Sequence, residues 1–281
     1  MAEGGWQTRL WLEPGLGGPS CGRRASGVVS TLVTMRLTVL GSNGTFPTPG
    51  CPASGYLVEQ AGTTIVLDLG PGVFMSLVEK VARPDAIVLS HAHPDHCSDL
   101  FALLAAIRFG QPEGWGIPVF CPQGLPDRFA AFLEVGSDHS LFQVFAFDAV
   151  SAGDRRQVGP LALEFGSALH SVPALVTAVE SGGRRLVYSG DTGPGGDLEG
   201  MAQGCDLLLC EATSQGEPPS DRYPYHLHAG EAGEVAQRAS VGRLIVTHLA
   251  PTLDPMVSVR EAAARFDGPV DHAVPAMEVE V

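Results

Sequence analysis

Short apolar runs separated by turn residues set the pattern of this chain from Met35 onward. Arg36-Leu37-Thr38-Val39-Leu40 reads as a strand closed by Gly41-Ser42-Asn43-Gly44. Residues 55–59 and 64–68 read as two more, joined by a turn at Gln60-Ala61-Gly62. The second stops at Gly70-Pro71-Gly72, and a helix then runs to about Val81. Asp85-Ala86-Ile87-Val88-Leu89-Ser90 is a buried-strand run, and Ser98-Asp99-Leu100 to Phe109 has helical character, with Pro94 suited to a first helical turn. Further strands are expected at 117–121, 142–147, 160–168, 174–180, 184–189, 205–210, 242–247 and 277–281, and helices at 125–134, 227–240 and 256–266. Two halves rich in hairpins, each followed by helices, predict two sheets packed face to face with helices outside. No repeat of 20 to 50 residues is visible.

Residues 1 to 34 do not share this pattern. They are rich in Gly and Arg and show no helix or strand period before Gly27. The apolar stretch after Arg23-Arg24 is short, is broken by Ser and Thr, and lacks an Ala-x-Ala cleavage site. The expected organisation is a leader over 1–34, either unstructured or ahead of a true start at Met35, and one hydrolase-sized domain over 35–281.

Composition narrows the setting. With 281 residues and 44% hydrophobic positions the chain can bury a core without disulfides. Its six cysteines are scattered and none is spaced Cys-x-x-Cys, which fits free thiols in a reducing cytoplasm. No apolar run reaches the roughly 20 residues of a membrane span. The net charge is −14, which disfavours long polyanions as partners. Lys80 is the only lysine.

The chemistry gathers where the strands end. Ser90-His91-Ala92-His93-Pro94-Asp95-His96 places three His and one Asp within six positions of a chain that has nine His in all. His170 follows the strand at 160–168. Asp191 follows Tyr188-Ser189-Gly190, and His248 follows Leu244-Ile245-Val246-Thr247. Each is a weak signal alone: a single His after a strand is often structural, and an Asp after a Gly is often a turn residue. Four strands ending alike are a stronger one, since two metal ions about 3.5–4 Å apart need some three protein ligands each.

The order His91-x-His93-x-Asp95-His96, then His170, then Ser189-Gly190-Asp191-Thr192, then Thr247-His248-Leu249 resembles the metallo-β-lactamase superfamily over residues 35 to 281. That resemblance implies an α/β fold, a four-layer αββα sandwich with a dinuclear site on one edge. It implies His91, His93 and His170 on one ion, Asp95, His96 and His248 on the other, and Asp191 as the bridge. Zinc suits such a set, with manganese or iron admitted.

Glu211 after a strand, and His226 ahead of a helix, look like the phosphodiesterase branch that includes ribonuclease Z. There the resemblance implies a His, oriented by a carboxylate, that protonates the leaving 3′-oxygen, with Asp95 taking a proton from the attacking water. His228 is left as a substrate contact, and His139 and His272 as surface or structural residues. Ribonuclease Z carries a tRNA-gripping arm between the positions matching His170 and Asp191, whereas only 21 positions separate them here. The expectation is therefore a small phosphodiester: a 3′,5′-cyclic nucleotide, cyclic AMP first, as in bacterial cyclic-AMP phosphodiesterases of this fold. The alternatives carried forward are a ribonuclease Z-like endonuclease and a thioesterase, lactonase or lactamase. Monomer and homodimer are both left open.

Overall fold

The computed structural model describes residues 34–110, 114–221 and 224–281. The leader expected over 1–34 lies outside them but for Thr34. The first sheet is built from β1 (Arg36–Gly41), β2 (Gly55–Gln60), β3 (Thr63–Leu67), β4 (Ala86–Val88), β5 (Ile117–Cys121) and β6 (Phe145–Ala149), with the C-terminal β14 (Glu278–Glu280) on its edge beside β1. The second runs β7 (Arg155–Val158), β8 (Leu161–Ser167), β9 (Leu175–Ser181), β10 (Arg184–Tyr188), β11 (Leu207–Glu211), β12 (Leu244–Thr247) and β13 (Val270–His272) in spatial order. In each sheet the strands are antiparallel at one side and parallel at the other.

Alternation along the strands decides which face is buried where. Leu37, Val39, Tyr56, Val58, Ile65 and Leu67 of the first sheet meet Leu163, Phe165, Leu186, Tyr188, Leu209 and Ile245 of the second in one shared core. The opposite faces carry Leu57, Val66 and Ile87, covered by α1 (Val73–Val78), α3 (Leu100–Gly110) and α4 (Leu125–Phe132), and Val187, Leu208 and Val246, covered by α6 (Leu198–Ala202), α7 (Ala229–Arg238) and α8 (Pro255–Ala263). Two sheets flanked by helices on both outer faces make the four-layer αββα sandwich.

Differences from the pattern reading fall where runs are short. Residues 142–144, expected to open a strand, belong instead to a helical turn, α5 (Leu141–Val144), and the strand begins at Phe145. The polar edge strand β7, the five-residue α6 and the three-residue β13 carry too few apolar positions to show a period. Pro94 occupies the first turn of α2 (Pro94–Cys97), as expected.

Candidate metal centre

Every strand that ends in a candidate ligand delivers it to the same edge of the sandwich. The loop after β4 and helix α2 bring His91, His93, Asp95 and His96 from the first sheet. The loops after β8, β10 and β12 bring His170, Asp191 and His248 from the second. At Gly190 φ is +56°, and a Cβ there would lie 2.8 Å from the Leu175 carbonyl oxygen and 3.0 Å from Ser90 Cβ. Only glycine suits that turn, which swings Asp191 inward. His248 adopts φ +55°, a conformation uncommon for a residue with a Cβ and found disproportionately at functional sites.

Beside a smaller group of Glu211, His226 and His248, two four-residue candidate ligand clusters result: His91, His93, His170 and Asp191, and Asp95, His96, Asp191 and His248, with the donor atoms of each within 4.8 Å of one another. Asp191 belongs to both. His91 Nε2 and His170 Nε2 each lie 3.0 Å from His93 Nδ1, and His96 Nε2 lies 3.1 Å from His248 Nε2. Those separations approach the edge of a tetrahedron of nitrogens about 2.0–2.1 Å from a central zinc, roughly 3.3 Å.

The far side of each ring is held. His96 Nδ1–H donates to Asp68 Oδ2 at 2.7 Å, His91 Nδ1–H to Ser90 Oγ at 3.0 Å, His170 Nδ1–H to the Tyr225 carbonyl at 3.0 Å, and His248 Nδ1–H to Thr213 Oγ1 at 2.9 Å. Four imidazoles thus turn their Nε2 lone pairs inward, as ligating histidines do.

The charges fit a cation too. Asp68, Asp191 and Glu211 are buried, and their charged partners among the described residues are histidines; no Lys or Arg reaches them. Asp191 Oδ1 has no well-directed hydrogen bond, although His96 Nε2 is 3.1 Å away. Leaving a buried carboxylate oxygen so placed is costly unless a positive charge meets it. Burial, with neighbouring imidazoles adding to it, holds His91 well below the usual histidine range, and burial likewise lowers His93 and His170. Neutral rings are the ligating form. His96 runs the other way: despite burial, Asp191 and Asp68 raise it well above that range, which marks the strong negative field there. The residues present fit divalent metal.

Beside the ligands stands a further pair. Glu211, the last residue of β11, accepts from His226 Nδ1 at 3.0 Å, from Thr192 N at 3.0 Å, and from Thr213 N and Oγ1 at 3.1 and 2.7 Å. The His226 ring centre lies 5.2 Å from that of His170 and 5.8 Å from that of His248, and its side chain is partly open to solvent. Burial would depress His226, but the Glu211 hydrogen bond and charge outweigh it and raise the imidazole above its ordinary range.

The structure brings all nine sequence-predicted residues together. Asp68 did not figure in that prediction. Its carboxylate takes Ser90 N, Ser90 Oγ, Tyr188 Oη and His96 Nδ1 at 2.6–2.7 Å. The available signal was its own position: Asp68 closes an apolar strand, as the ligands do. His228, read as a substrate contact, is instead buried at the start of α7, where Nδ1 meets the carbonyls of Gln215 and Gly216 at 3.1 and 2.9 Å. His139 is half-buried against Arg108, and His272 is half-buried on β13.

The chain is similar to several known proteins. The family model described as "Beta-lactamase superfamily domain" matches residues 63–249. A Mycobacterium leprae protein is 38% identical over 258 residues, covering 87% of each chain. The probable metallo-hydrolase YhfI of Bacillus subtilis is 28% identical over 251 residues, 85% of this chain and 97% of its own. Its crystal structure superposes with a TM-score of 0.77 over 88% of this chain and all of that one, at 25% identity. Ribonuclease Z of Methanopyrus kandleri is 26% identical over 265 residues, covering 81% of this chain and 91% of that protein. With the sandwich, its edge cluster of His and Asp, and a family model spanning most of the domain, the chain belongs to the metallo-β-lactamase superfamily and is a metallo-hydrolase.

Proposed function

We propose that the chain is a dinuclear metal-dependent phosphodiesterase that hydrolyses 3′,5′-cyclic nucleotides, cyclic AMP foremost, to 5′-monophosphates. The observation that carries this reading is the His226–Glu211 pair, 3.0 Å apart, set against two ligand clusters that share Asp191. Esters with good leaving groups need no such donor; expelling a 3′-alkoxide does.

His91, His93 and His170 would hold one ion, Asp95, His96 and His248 the other, with Asp191 between them. Two divalent ions, zinc first, with manganese or iron admitted by the carboxylates, would neutralise charge on the phosphoryl oxygens and allow water to ionise near neutral pH. The residues of the chain do the rest. Asp95, whose Oδ2 is held by Thr45 N at 2.9 Å, accepts the proton of the attacking water. Glu211 takes the Nδ1–H of His226, so the proton on Nε2 passes to the departing 3′-oxygen. Asp68 fixes the His96 ring throughout.

A small substrate is supported by the segment between His170 and Asp191. It is a single hairpin, β9 to β10, turning at Gly182-Gly183, where the ribonuclease Z resemblance calls for an arm. The acidic net charge points the same way. The relation to ribonuclease Z nevertheless favours tRNA 3′ processing as the second reading.

Metal-loaded protein assayed on cyclic AMP, cyclic GMP, precursor tRNA, an acyl thioester and bis-p-nitrophenyl phosphate separates these. The expected result is 5′-AMP from cyclic AMP. Cleavage of precursor tRNA with cyclic nucleotides left intact would overturn the proposal in favour of the second reading.

A further inference from the structure

The two flanks of the metal centre differ. Beyond His248 the main chain closes in: a Cβ at Gly44 would lie 2.6 Å from the His248 carbonyl oxygen. Beyond His170 lies an open groove of about 630 Å³, within the range of about 300–1,000 Å³ usual for small-molecule sites. Its walls come from both sheets: Gln123 after β5, Ser151 and Ala152 after β6, and the segment from Ser167 to Leu175 that carries His170 itself.

The lining is uncharged. Among the described residues no Lys, Arg, Asp or Glu faces the groove. The hydroxyls of Ser151, Ser167 and Ser171 and the carboxamide of Gln123 have no hydrogen-bond partner among the described residues. Alongside them stand Val150, Val172 and Pro173. A polyanionic strand would want cations along such a path, and a long acyl chain would want an unbroken apolar wall. A neutral ring system with hydrogen-bonding edges fits better. Gln123 offers both a donor and an acceptor, the pattern that pairs with the edge of adenine.

We infer that this groove beside His170 is the nucleoside subsite, holding the base and sugar of a purine nucleotide whose phosphate lies at the ligand clusters, with Gln123 meeting the base edge. The inference rests on the phosphodiesterase reading and adds to it where the uncharged part of the substrate sits.

The test uses two variants of the full chain, Ala152→Trp to fill the groove and Gln123→Ala to remove the edge contact, each first shown to match the wild type in metal content and thermal midpoint. AMP binding is measured by calorimetry, and KM and kcat on cyclic AMP and on methyl p-nitrophenyl phosphate, which has no nucleoside. Ala152→Trp should weaken AMP binding and raise KM for cyclic AMP by about tenfold or more, with a much smaller change on the methyl ester; Gln123→Ala should do the same by about threefold to tenfold. Unaltered AMP affinity in both variants overturns the subsite, whatever the enzyme cleaves. Failure of the wild type to cleave any cyclic nucleotide overturns the phosphodiesterase reading instead, and the AMP titration still decides the groove.

Discussion

Single side chains carry the most exposed claims. Asp191 stands in both ligand clusters, so Asp191→Ala removes one carboxylate from two sites at once. Elemental analysis of the purified variant should show fewer than two ions per chain, with loss at both positions; a variant still fully loaded would end the bridging assignment. His226 lies outside the two four-residue clusters, and Glu211 meets its Nδ1 at 3.0 Å. His226→Ala should keep its ions yet lose about 10² or more in kcat on cyclic AMP, whose leaving alkoxide needs a proton. The loss should shrink on bis-p-nitrophenyl phosphate, whose leaving group hardly does. Equal losses on both substrates would mean that His226 serves some other purpose.

At the scale of elements, the repeated device is an apolar strand that stops abruptly and throws one polar residue into the cleft. That device is legible wherever the run is long enough, which is why β4, β8, β10 and β12 could be placed with the polar residues that follow them, whose part as ligands is what the resemblance implies. It was equally present at β3, whose following residue Asp68 holds His96, but an Asp two positions ahead of Gly-Pro-Gly reads just as well as a turn. The tertiary contact that distinguishes the two uses is 28 residues away in the chain. His228 misled for a similar reason, since its partners are main-chain carbonyls at 215 and 216 that no side-chain pattern announces. Polar β7 and the short α6 and β13 escaped because too few apolar positions mark them. The strand-end device itself is testable at Gly190. Gly190→Ala would force a Cβ into a left-handed turn, costing about 1–2 kcal/mol, and press it against Leu175 and Ser90. The turn should relax and carry Asp191 outward. The thermal midpoint and metal content should therefore fall together; a variant that loses stability while keeping both ions would show that the turn is not what aims Asp191.

For the whole molecule, the decisive feature is that the candidate ligands come from both sheets. His91, His93, Asp95 and His96 belong to the first; His170, Asp191 and His248 to the second. Elsewhere the sheets are joined by the apolar core between them, but at this edge the facing groups are imidazoles and carboxylates, among them a buried Asp191 oxygen with no well-directed hydrogen bond. Metal bound there would clamp the seam, and because it would bind the folded arrangement and not the unfolded chain, its binding free energy would add to stability. At ion concentrations about a thousandfold above the dissociation constant that contribution is about 4 kcal/mol. A domain of this size shifts by about 2–4 °C per kcal/mol, so exhaustive chelation should lower the thermal midpoint by roughly 8–16 °C. Re-addition of zinc should restore it. Hydrogen exchange on the chelated protein should quicken first at the loops after β4, β8, β10 and β12, while the shared core stays protected. A chelated protein that is verifiably metal-free yet melts where the loaded one does would show that the core alone holds the sheets together, and that the ligand cluster is organised without help from the ions it would bind.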